Sequence, residues 1–510
     1  MKKYISALSL LLISLSSMIG SGWLFGSLYS AHYAGPAAIL AWPLAAFLLM
    51  FVALSYAEVA SMFPHGDNVA MLPMHTHGRL TSVIMGGFAW ITLATMPVIE
   101  TQGLVQYASN YIPGLMTQTG TIYISTPLGY LFALLLLFSF VIFNYFGVHF
   151  FACINSGFTI WKFIIPTITV ITLFSVSYHP RDFTQHGGFM PYGWQGVMMA
   201  MSSGGAMFSF LGFRQIIIMM GAVKNPGKYL PLVLITSLIL TAFLYTCLQW
   251  SFIGSMSDHD LANGWENLSF KGDAGPFAAL AGLAGIIWLS FLLYADAFVS
   301  PYSTALVFST TGAHMLASMG KVGNAPQKLN IRNKYQTPWI SLCVNFFLAV
   351  VMFSILKNWQ SMAAFIVAVQ IISYSTGPVC LICLRKQMPD YKRPYRLQFG
   401  GLMSFIGFYV CTAGAYWCGW ESMLKLLFLS GLGLAFYLFY HFLTKKSAET
   451  LSAGNASWLL CYLIGLGIFS YYGNYGGTMQ IPLYWDLLYL MAFSLIIFLL
   501  SLYTRVKHVG

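Results

Sequence analysis

Long apolar runs separated by short polar turns dominate the pattern of this 510-residue chain. A helix that crosses the hydrocarbon core of a bilayer needs about 20 mostly apolar residues, whereas a barrel strand needs about 10. The runs are too long for barrel strands, and backbone groups in lipid find hydrogen-bond partners only within helices or closed barrels. The pattern therefore predicts about fourteen spanning helices, over residues 5–33, 36–63, 82–111, 127–146, 152–176, 194–222, 229–254, 276–312, 338–356, 362–384, 402–419, 423–443, 456–473 and 483–503.

The composition excludes several classes of protein. Only 7% of the residues are charged and 58% are hydrophobic, whereas soluble domains carry about 25% charged residues. Such a chain cannot cover its surface in water, which excludes a soluble enzyme, a disordered protein and a nucleic-acid-binding protein. The cysteines all lie in apolar runs and are interpreted as buried hydrophobic residues: Cys153, Cys247, Cys343, Cys380, Cys383, Cys411, Cys418 and Cys461. The CxxC of Cys380 and Cys383 has no second pair, so no metal site is predicted.

The basic residues predict the orientation in the membrane. With the N-terminus in the cytoplasm, 18 of the 24 Lys and Arg residues fall in cytoplasmic segments and only three in outer loops. Cytoplasmic loops of membrane proteins are enriched in Lys and Arg. An even number of spans then places both termini in the cytoplasm. The first run follows Lys2 and Lys3 but is too long for a signal peptide, so we expect it to remain as a span.

Glycine interrupts two spans that lie five apart. The first contains Gly20-Ser21-Gly22, and the sixth contains Ser202-Ser203-Gly204-Gly205. Glycine costs a helix interior about 1 kcal/mol relative to alanine, and unwound backbone at membrane depth persists only where it lines a cavity or is buried in protein. Matching interrupted spans indicate an inverted-repeat transporter, whose half-helix ends suit the carboxylate and ammonium of an amino acid. Close helix packing at small residues is the alternative for either segment alone.

Five motifs in register resemble the amino acid–polyamine–organocation (APC) superfamily of transporters. They are residues 19–26 (IGSGWLFG), residues 56–64 (YAEVASMFP), residues 208–213 (FSFLGF), Lys224-Asn225-Pro226 with Pro231, and the loop after span ten with Leu384-Arg385-Lys386, Pro389-Asp390 and Arg393-Pro394-Tyr395. The resemblance covers about residues 5–400.

The resemblance implies an all-α polytopic membrane protein with a LeuT-type core of five plus five inverted helices. This core would occupy residues 1–400, and four additional helices would occupy residues 401–510. It further implies secondary active transport of amino acids across the plasma membrane, here the inner membrane of a bacterium, without a cofactor or enzymatic activity. Proton-coupled uptake is the main hypothesis, and obligate exchange of amino acids or amines is the alternative. The oligomeric state is not predicted.

The same resemblance places the substrate at the two breaks. The expected binding residues are Ile19, Gly20, Ser21, Gly22 and Trp23 in the first span and Phe208, Ser209, Phe210, Gly212 and Arg214 in the sixth. Phe208 matches the position of an aromatic gate in relatives. Arg214 departs from the family, which often has an acidic residue there. It either binds a second carboxylate, which favours aspartate or glutamate, or closes an inner gate.

Three further departures concern the loops and the eighth span. Gly66-Asp67 replaces the usual Gly-Gly, Gly221 and Ala222 stand near the place of an acidic pair, and His314 stands in place of an arginine. These departures leave the substrate and the gating contacts open.

Ionisable residues inside spans are costly and therefore candidates for function. In proton-coupled relatives a lysine in the fifth span replaces a sodium ion and bridges the broken first helix and span eight, and Lys162 matches it. Because burial disfavours a charged group, we expect Lys162 to exchange a proton, with a permanently charged structural tether as the alternative. Glu100 and Asp296 are the acidic candidates for coupling, with ordinary polar pairing as the alternative.

Two other polar groups are assigned different places. The hydroxyls of Ser300, Ser303 and Thr304 follow Asp296 and are expected to line the pocket to which Lys162 points. Glu58 is expected at the membrane interface without a site role. The loop 64–81 carries His65, His75 and His77 and is expected to be solvated, with inner pH sensing as a weaker alternative.

Overall fold

Helices make up nearly all of the regular structure in this computed structural model, which describes residues 6–63, 68–146, 148–218, 223, 225–443 and 452–507. The α-helices within these ranges are α1 Ala7–Met18, α2 Ser21–Ala34, α3 Ala38–Met62, α4 Asn68–Ala108, α5 Pro127–Tyr145, α6 Val148–Val176, α7 Gly193–Ser202, α8 Ala206–Phe210, α9 Arg214–Ile218, α10 Pro226–Ile253, α11 Pro276–Leu283, α12 Ile287–Lys321, α13 Trp339–Ile355, α14 Trp359–Tyr374, α15 Thr376–Gln387, α16 Gly400–Trp417, α17 Trp420–Leu443, α18 Ser457–Tyr472 and α19 Trp485–Tyr503.

Several helix starts follow from side chains that cap free backbone N–H groups. Ser6 accepts a hydrogen bond from Ser9 N at the start of α1. Thr126 accepts from Gly129 N at the start of α5, where proline occupies the first helical position. Asn358 accepts from Ser361 N at the start of α14. Such caps satisfy N–H groups that have no partner within the helix, so these spans begin at fixed residues.

The helices are long and apolar enough for a multi-pass membrane protein. Among the described residues, ten helical segments pass this test, and eleven pass if the bent α7–α9 segment counts as one. The helices α1 and α13 are apolar but shorter, at 12 and 17 residues. One two-stranded antiparallel hairpin, Met116–Thr119 with Ile122–Ser125, departs from the all-α prediction and lies in the loop between α4 and α5.

The predicted inner loop 64–81 is wrong in part. Residues 68–77 are helical, and Gly78 with φ 79° separates them from the rest of α4. His77 is fully buried, and its Nε2 lies 2.8 Å from the Ser501 carbonyl oxygen of α19. The ring is therefore packed against the last helix and is not solvated. His65 and the Gly66-Asp67 pair lie outside the described residues, as do Gly221, Ala222 and Lys224.

One predicted span and three cysteines also differ from expectation. Residues 276–312 are divided into α11 and α12, whereas residues 362–384 lie within one apolar helical span, Trp359–Gln387, with a local break at Ser375. Cys461 is exposed, and Cys247 and Cys343 are partly exposed. Since these three residues lie on apolar helices, they face the hydrocarbon phase, so an apolar run identified the membrane environment but not burial inside the protein.

Helices five spans apart pack against each other. α12, the eighth predicted span, lies along α4, and α10, the seventh, lies along α3. α1 contacts α9 and the 3₁₀ turn Leu211–Phe213 of the sixth span. This pairing encloses both broken spans in the centre of the helix bundle and positions the candidate site.

Candidate functional site

The first span is broken where the sequence predicted it. α1 ends at Met18 and α2 begins at Ser21, with extended backbone at Ile19 (φ −91°, ψ 95°). The break leaves carbonyl groups at the end of α1 and N–H groups at the start of α2, which carry opposite partial charges. The hydroxyl of Tyr245 donates to the Met18 carbonyl oxygen at 2.9 Å. Unwound backbone is thus buried in protein, as the bilayer requires.

The sixth span is broken as well. α7 ends at Ser202, α8 begins at Ala206, and the two parts are bent by 42°. Gly205 has φ 99°, a left-handed conformation that glycine adopts without steric cost. Gly212 packs against the end of α1, where a Cβ atom would lie 2.7 Å from Met18 N. The glycines therefore serve both the break and the close approach of the two broken spans.

The two breaks face each other across a shared aromatic residue. A Cβ atom on Gly22 would lie 3.2 Å from Ser209 Cβ, so the backbones meet at this point. Trp359 of α14 donates from Nε1 to Ser21 Oγ at 3.1 Å, and its ring lies 5.5 Å from that of Phe208. Sequence reasoning missed Trp359 because a tryptophan near a span end is typical of an interface anchor.

Lys162 joins α6 to the broken end of α1. Its Nζ donates to the Ser16 carbonyl oxygen at 3.1 Å and to Thr304 Oγ1 at 2.6 Å, and Thr304 Oγ1 donates to the Ile19 carbonyl oxygen at 3.3 Å. The side chain is 1% exposed. A cation at the negative end of a half-helix is favourable. This is the bridge between the first span and the eighth that the resemblance implied.

Glu100 occupies the opposite side of the same break. Its Oε2 accepts from Ser21 N, the first residue of α2, at 2.7 Å. A carboxylate at a helix N-terminus is stabilised by the free N–H groups. Gly20 makes this contact possible, because a Cβ atom there would lie 2.5 Å from Glu100 Oε1. Glu100 is buried and lies within Coulombic range of Lys162.

Asp296 is fully buried on α12 and has one oxygen without a partner. Oδ1 accepts from Ser300 Oγ at 2.6 Å, whereas Oδ2 has no hydrogen bond within the described chain. The indole N–H groups of Trp23 and Trp161 are buried and directed at this carboxyl, at a range longer than an ordinary hydrogen bond. The carboxyl and the two indole N–H groups therefore form one buried polar cluster beside the first break.

Of the hydroxyls expected to line the pocket of Lys162, those of Ser300 and Ser303 form hydrogen bonds within α12. Ser300 binds Asp296, and Ser303 donates to the Ser300 carbonyl oxygen at 3.0 Å. The α12 hydroxyl that accepts a hydrogen bond from Lys162 Nζ is that of Thr304. Asp296, Ser300 and Thr304 are spaced four residues apart and lie on one face of α12, whereas Ser303 is turned by about 100° from Thr304.

Arg214 begins α9, just after the sixth-span break. Its Nη1 donates to Ser373 Oγ at 2.9 Å, its guanidinium lies 5.4 Å from the ring centroid of Tyr374, and its Nε is buried without a partner. No carboxylate of the described residues forms an ion pair with it. A buried charge without a counter-ion is costly, so this position favours a ligand that supplies one.

The candidate site is buried inside the protein. Every residue of the predicted set is buried, and the most exposed side chain, Phe208, is only 5% exposed. Phe277 packs against Trp23, Trp359 packs against Phe208, and the Tyr374 hydroxyl donates to the Leu211 carbonyl oxygen at 2.5 Å. Aromatic side chains therefore enclose the two breaks.

Glu58 was expected at the membrane interface. It is 1% exposed and forms ionic contacts at the end of α3. It accepts from Arg385 Nε at 2.9 Å and from Leu397 N at 2.6 Å, and Arg393 Nε lies 3.4 Å away. The loop motifs after span ten thus have a structural role in closing this end of the molecule. No sequence signal indicated the partner, because the contact joins residues more than 300 positions apart.

Comparison with known proteins identifies the family. The amino acid permease family model matches residues 5–466. The glutamate/serine transporter AimA of Bacillus subtilis (strain 168) is 34% identical, over 97% of this chain and 92% of its own length. The aspartate-proton symporter of the same organism is 29% identical, over 99% and 96%, and its branched-chain amino acid permease BcaP is 23% identical, over 86% and 93%. The chain therefore belongs to the amino acid permease family of the APC superfamily and is a multi-pass membrane protein that transports amino acids.

Proposed function

We propose that this permease imports the acidic amino acids aspartate and glutamate together with protons. Residues 1–400 form the LeuT-type transport core of five plus five inverted helices, and four further helices complete fourteen spans with cytoplasmic termini. The packing of helices five spans apart supports the inverted repeat. The distribution of basic residues supports the orientation.

The observation that carries the acidic specificity is the buried, unpaired guanidinium of Arg214. Its Nε has no hydrogen-bond partner, and its charge faces the aromatic ring of Tyr374 and the hydroxyl of Ser373. The side-chain carboxylate of aspartate or glutamate supplies the missing acceptor, since guanidinium groups bind carboxylates with short, charge-assisted hydrogen bonds. The α-carboxylate then binds the N–H groups at the half-helix ends. Two near-full-length relatives that are named for glutamate/serine and aspartate-proton transport support this assignment.

Proton coupling is assigned to Lys162, Glu100 and Asp296. The three groups are buried, and Lys162 lies within Coulombic range of both acids near the first break. A change in the protonation of any of these groups changes the electrostatic potential at the end of α1 and at the start of α2. An acidic substrate brings a negative charge into this site, and a proton taken up with it offsets that charge.

The test is uptake of labelled aspartate, glutamate and a neutral amino acid into proteoliposomes, with and without an inward proton gradient. We expect uptake of the acidic substrates into empty vesicles, and we expect it to rise with the gradient. Uptake that requires preloaded substrate would establish obligate exchange instead. Arg214→Ala should lower the ratio of aspartate to neutral uptake at least about tenfold, because a hydrogen bond to a charged group contributes about 1.5–3 kcal/mol. Unchanged selectivity would contradict the assignment of Arg214.

A further inference from the structure

An apolar groove lies away from the candidate site, between α4, α12, α13 and α17. Its volume is about 320 Å³, and its lining is almost entirely apolar, with Val83, Phe88, Leu316 and Leu434 among the contributing side chains. That volume is typical of sites for small organic molecules. On α17 the neighbouring Phe436 is 65% exposed, so the groove opens toward the hydrocarbon phase.

Polar groups occur at one end of this groove. Asn324 and Tyr437 both line it, and Asn324 Oδ1 and the Tyr437 hydroxyl are buried without hydrogen-bond partners. The amide nitrogen of Asn324 donates to Ser82 Oγ at 3.0 Å, which places Asn324 beside the first turns of α4 after Gly78. A buried polar atom without a partner costs about 1–3 kcal/mol, so this end is suited to a ligand with both donors and acceptors.

Positive charge lies at the same end. Arg79 precedes Val83 by one helical turn, and its charge acts on the Tyr437 hydroxyl. No ion pair of Arg79 occurs in the part of the chain that the structure describes. Lys328 adjoins the lining residue Leu329 and is exposed, and the groove lining contains no acidic residue. The groove thus combines an apolar interior with a basic, hydrogen-bonding mouth.

We propose that the groove binds an anionic phospholipid whose headgroup carries hydroxyls, such as phosphatidylglycerol. The acyl chain lies along the apolar lining, the phosphate lies near Arg79 and accepts from the Tyr437 hydroxyl, and a headgroup hydroxyl donates to Asn324 Oδ1. Basic pockets between membrane helices bind anionic headgroups in this manner. Because the groove joins the α4–α12 pair to α17, the lipid links the core to the C-terminal helices.

The glycines of the groove permit a direct test. Cβ atoms on Gly87 and Gly433 would meet no atom within 4 Å, and both residues line the groove. Leucine side chains at these positions would enter the groove from a Cβ atom that meets no other protein atom. Gly431 on α17 has equally open space but does not line the groove, so Gly431→Leu is the matched control.

The experiment is native mass spectrometry of the purified full-length chain with equal amounts of phosphatidylglycerol and phosphatidylcholine of identical acyl chains. We expect the wild type to retain phosphatidylglycerol at least about fivefold more than phosphatidylcholine, and Arg79→Gln to abolish this preference, since one basic residue contributes about 1 kcal/mol. Gly87→Leu/Gly433→Leu should lose the bound lipid, and Gly431→Leu should retain it. If the double variant fails to fold, the single Gly87→Leu variant serves the same comparison.

Equal retention of the two lipids by the wild type would overturn the proposal. So would undiminished phosphatidylglycerol retention by the variant whose groove is filled. A dimer that dissociates when the groove is filled would assign the groove to a second copy of the chain and would also overturn it.

Discussion

Arg385 binds both carboxylate oxygens of Glu58, with Nε 2.9 Å from Oε1 and Nη2 2.6 Å from Oε2. The pair joins the end of α3 to the end of α15, and Arg385 also donates to the Leu397 carbonyl oxygen at 2.6 Å. Fork-like pairing of this kind fixes the relative position of the two helices as well as adding energy. Because α3 and α15 belong to opposite halves of the proposed core, opening this end of the molecule requires the pair to separate.

Glu58→Gln is expected to destabilise the closed inner end. The substitution leaves Arg385 and Arg393 without their carboxylate, and removing one partner of a buried pair costs about 3–5 kcal/mol. Thermal unfolding in detergent should show a clear loss of stability, and cysteines introduced near the site should react faster from the inner face. Glu421→Gln is the matched control, since it removes the exposed pair with Lys425, which contributes at most about 1 kcal/mol. Equal effects of the two substitutions would contradict the assigned role of Glu58.

Lys162→Met is expected to uncouple transport from the proton gradient. The variant removes the cation that bridges Ser16 and Thr304, and among the described hydrogen bonds no other basic side chain donates to the end of α1. Uptake in proteoliposomes should persist at a reduced rate. This rate should no longer change when the external pH is varied over about two units, from about 5.5 to about 7.5. Lys425→Met, on the outer face of α17, should leave the pH dependence intact. Full pH-dependent uptake by Lys162→Met would show that the lysine is only a tether.

Local features of the sequence predicted the breaks and the bridging lysine well. Clusters of glycine and serine predicted the interruptions of the first and sixth spans, and the start of α2 at Ser21 and the end of α7 at Ser202 lie within these segments. Lys162 could be located because a single cation deep in an apolar run has few explanations. Both inferences depend on a residue and its near neighbours in the chain.

Contacts between distant segments could not be predicted in the same way. Trp359 reaches Ser21 across 338 positions, and Arg385 reaches Glu58 across 327. Neither pair leaves a periodic pattern, since both depend on how the helices pack. The exposure of Cys461 could not be predicted either. Lipid and the protein interior are both apolar, so an apolar run does not distinguish them.

Asp296→Asn is expected to lower uptake at least about tenfold while the protein remains folded. Asparagine retains an acceptor for Ser300 but removes the charge and places a donor toward the indole N–H groups of Trp23 and Trp161. Loss of a hydrogen bond to a charged group costs about 1.5–3 kcal/mol. Uptake at several substrate concentrations separates an effect on affinity from one on turnover. Ser303→Ala is the control, because Ser303 donates only to the neighbouring Ser300 carbonyl oxygen. Wild-type uptake by Asp296→Asn would exclude the carboxyl from the mechanism.

Gly20→Ala tests whether the contact between the first break and Glu100 is required. The new Cβ atom would lie 2.5 Å from Glu100 Oε1 and 3.1 Å from its Cδ, so the carboxylate must move away from Ser21 N. We expect a loss of about 1–3 kcal/mol in the free energy of unfolding, as for other overpacked positions, together with impaired uptake. Gly157→Ala on α6, where a Cβ atom meets nothing within 4 Å, should be neutral or stabilising by up to about 1 kcal/mol.

The double variant Gly20→Ala/Glu100→Asp makes this prediction specific. Aspartate is one methylene shorter than glutamate, so its carboxylate withdraws from the space that the alanine Cβ enters. If steric conflict with Glu100 is the cause, the double variant should be more stable than the sum of the two single substitutions, which is the signature of direct contact. Strictly additive changes in the free energy of unfolding would contradict this explanation. The destabilisation by Gly20→Ala would then come from the backbone conformation of the break and not from a steric conflict with Glu100.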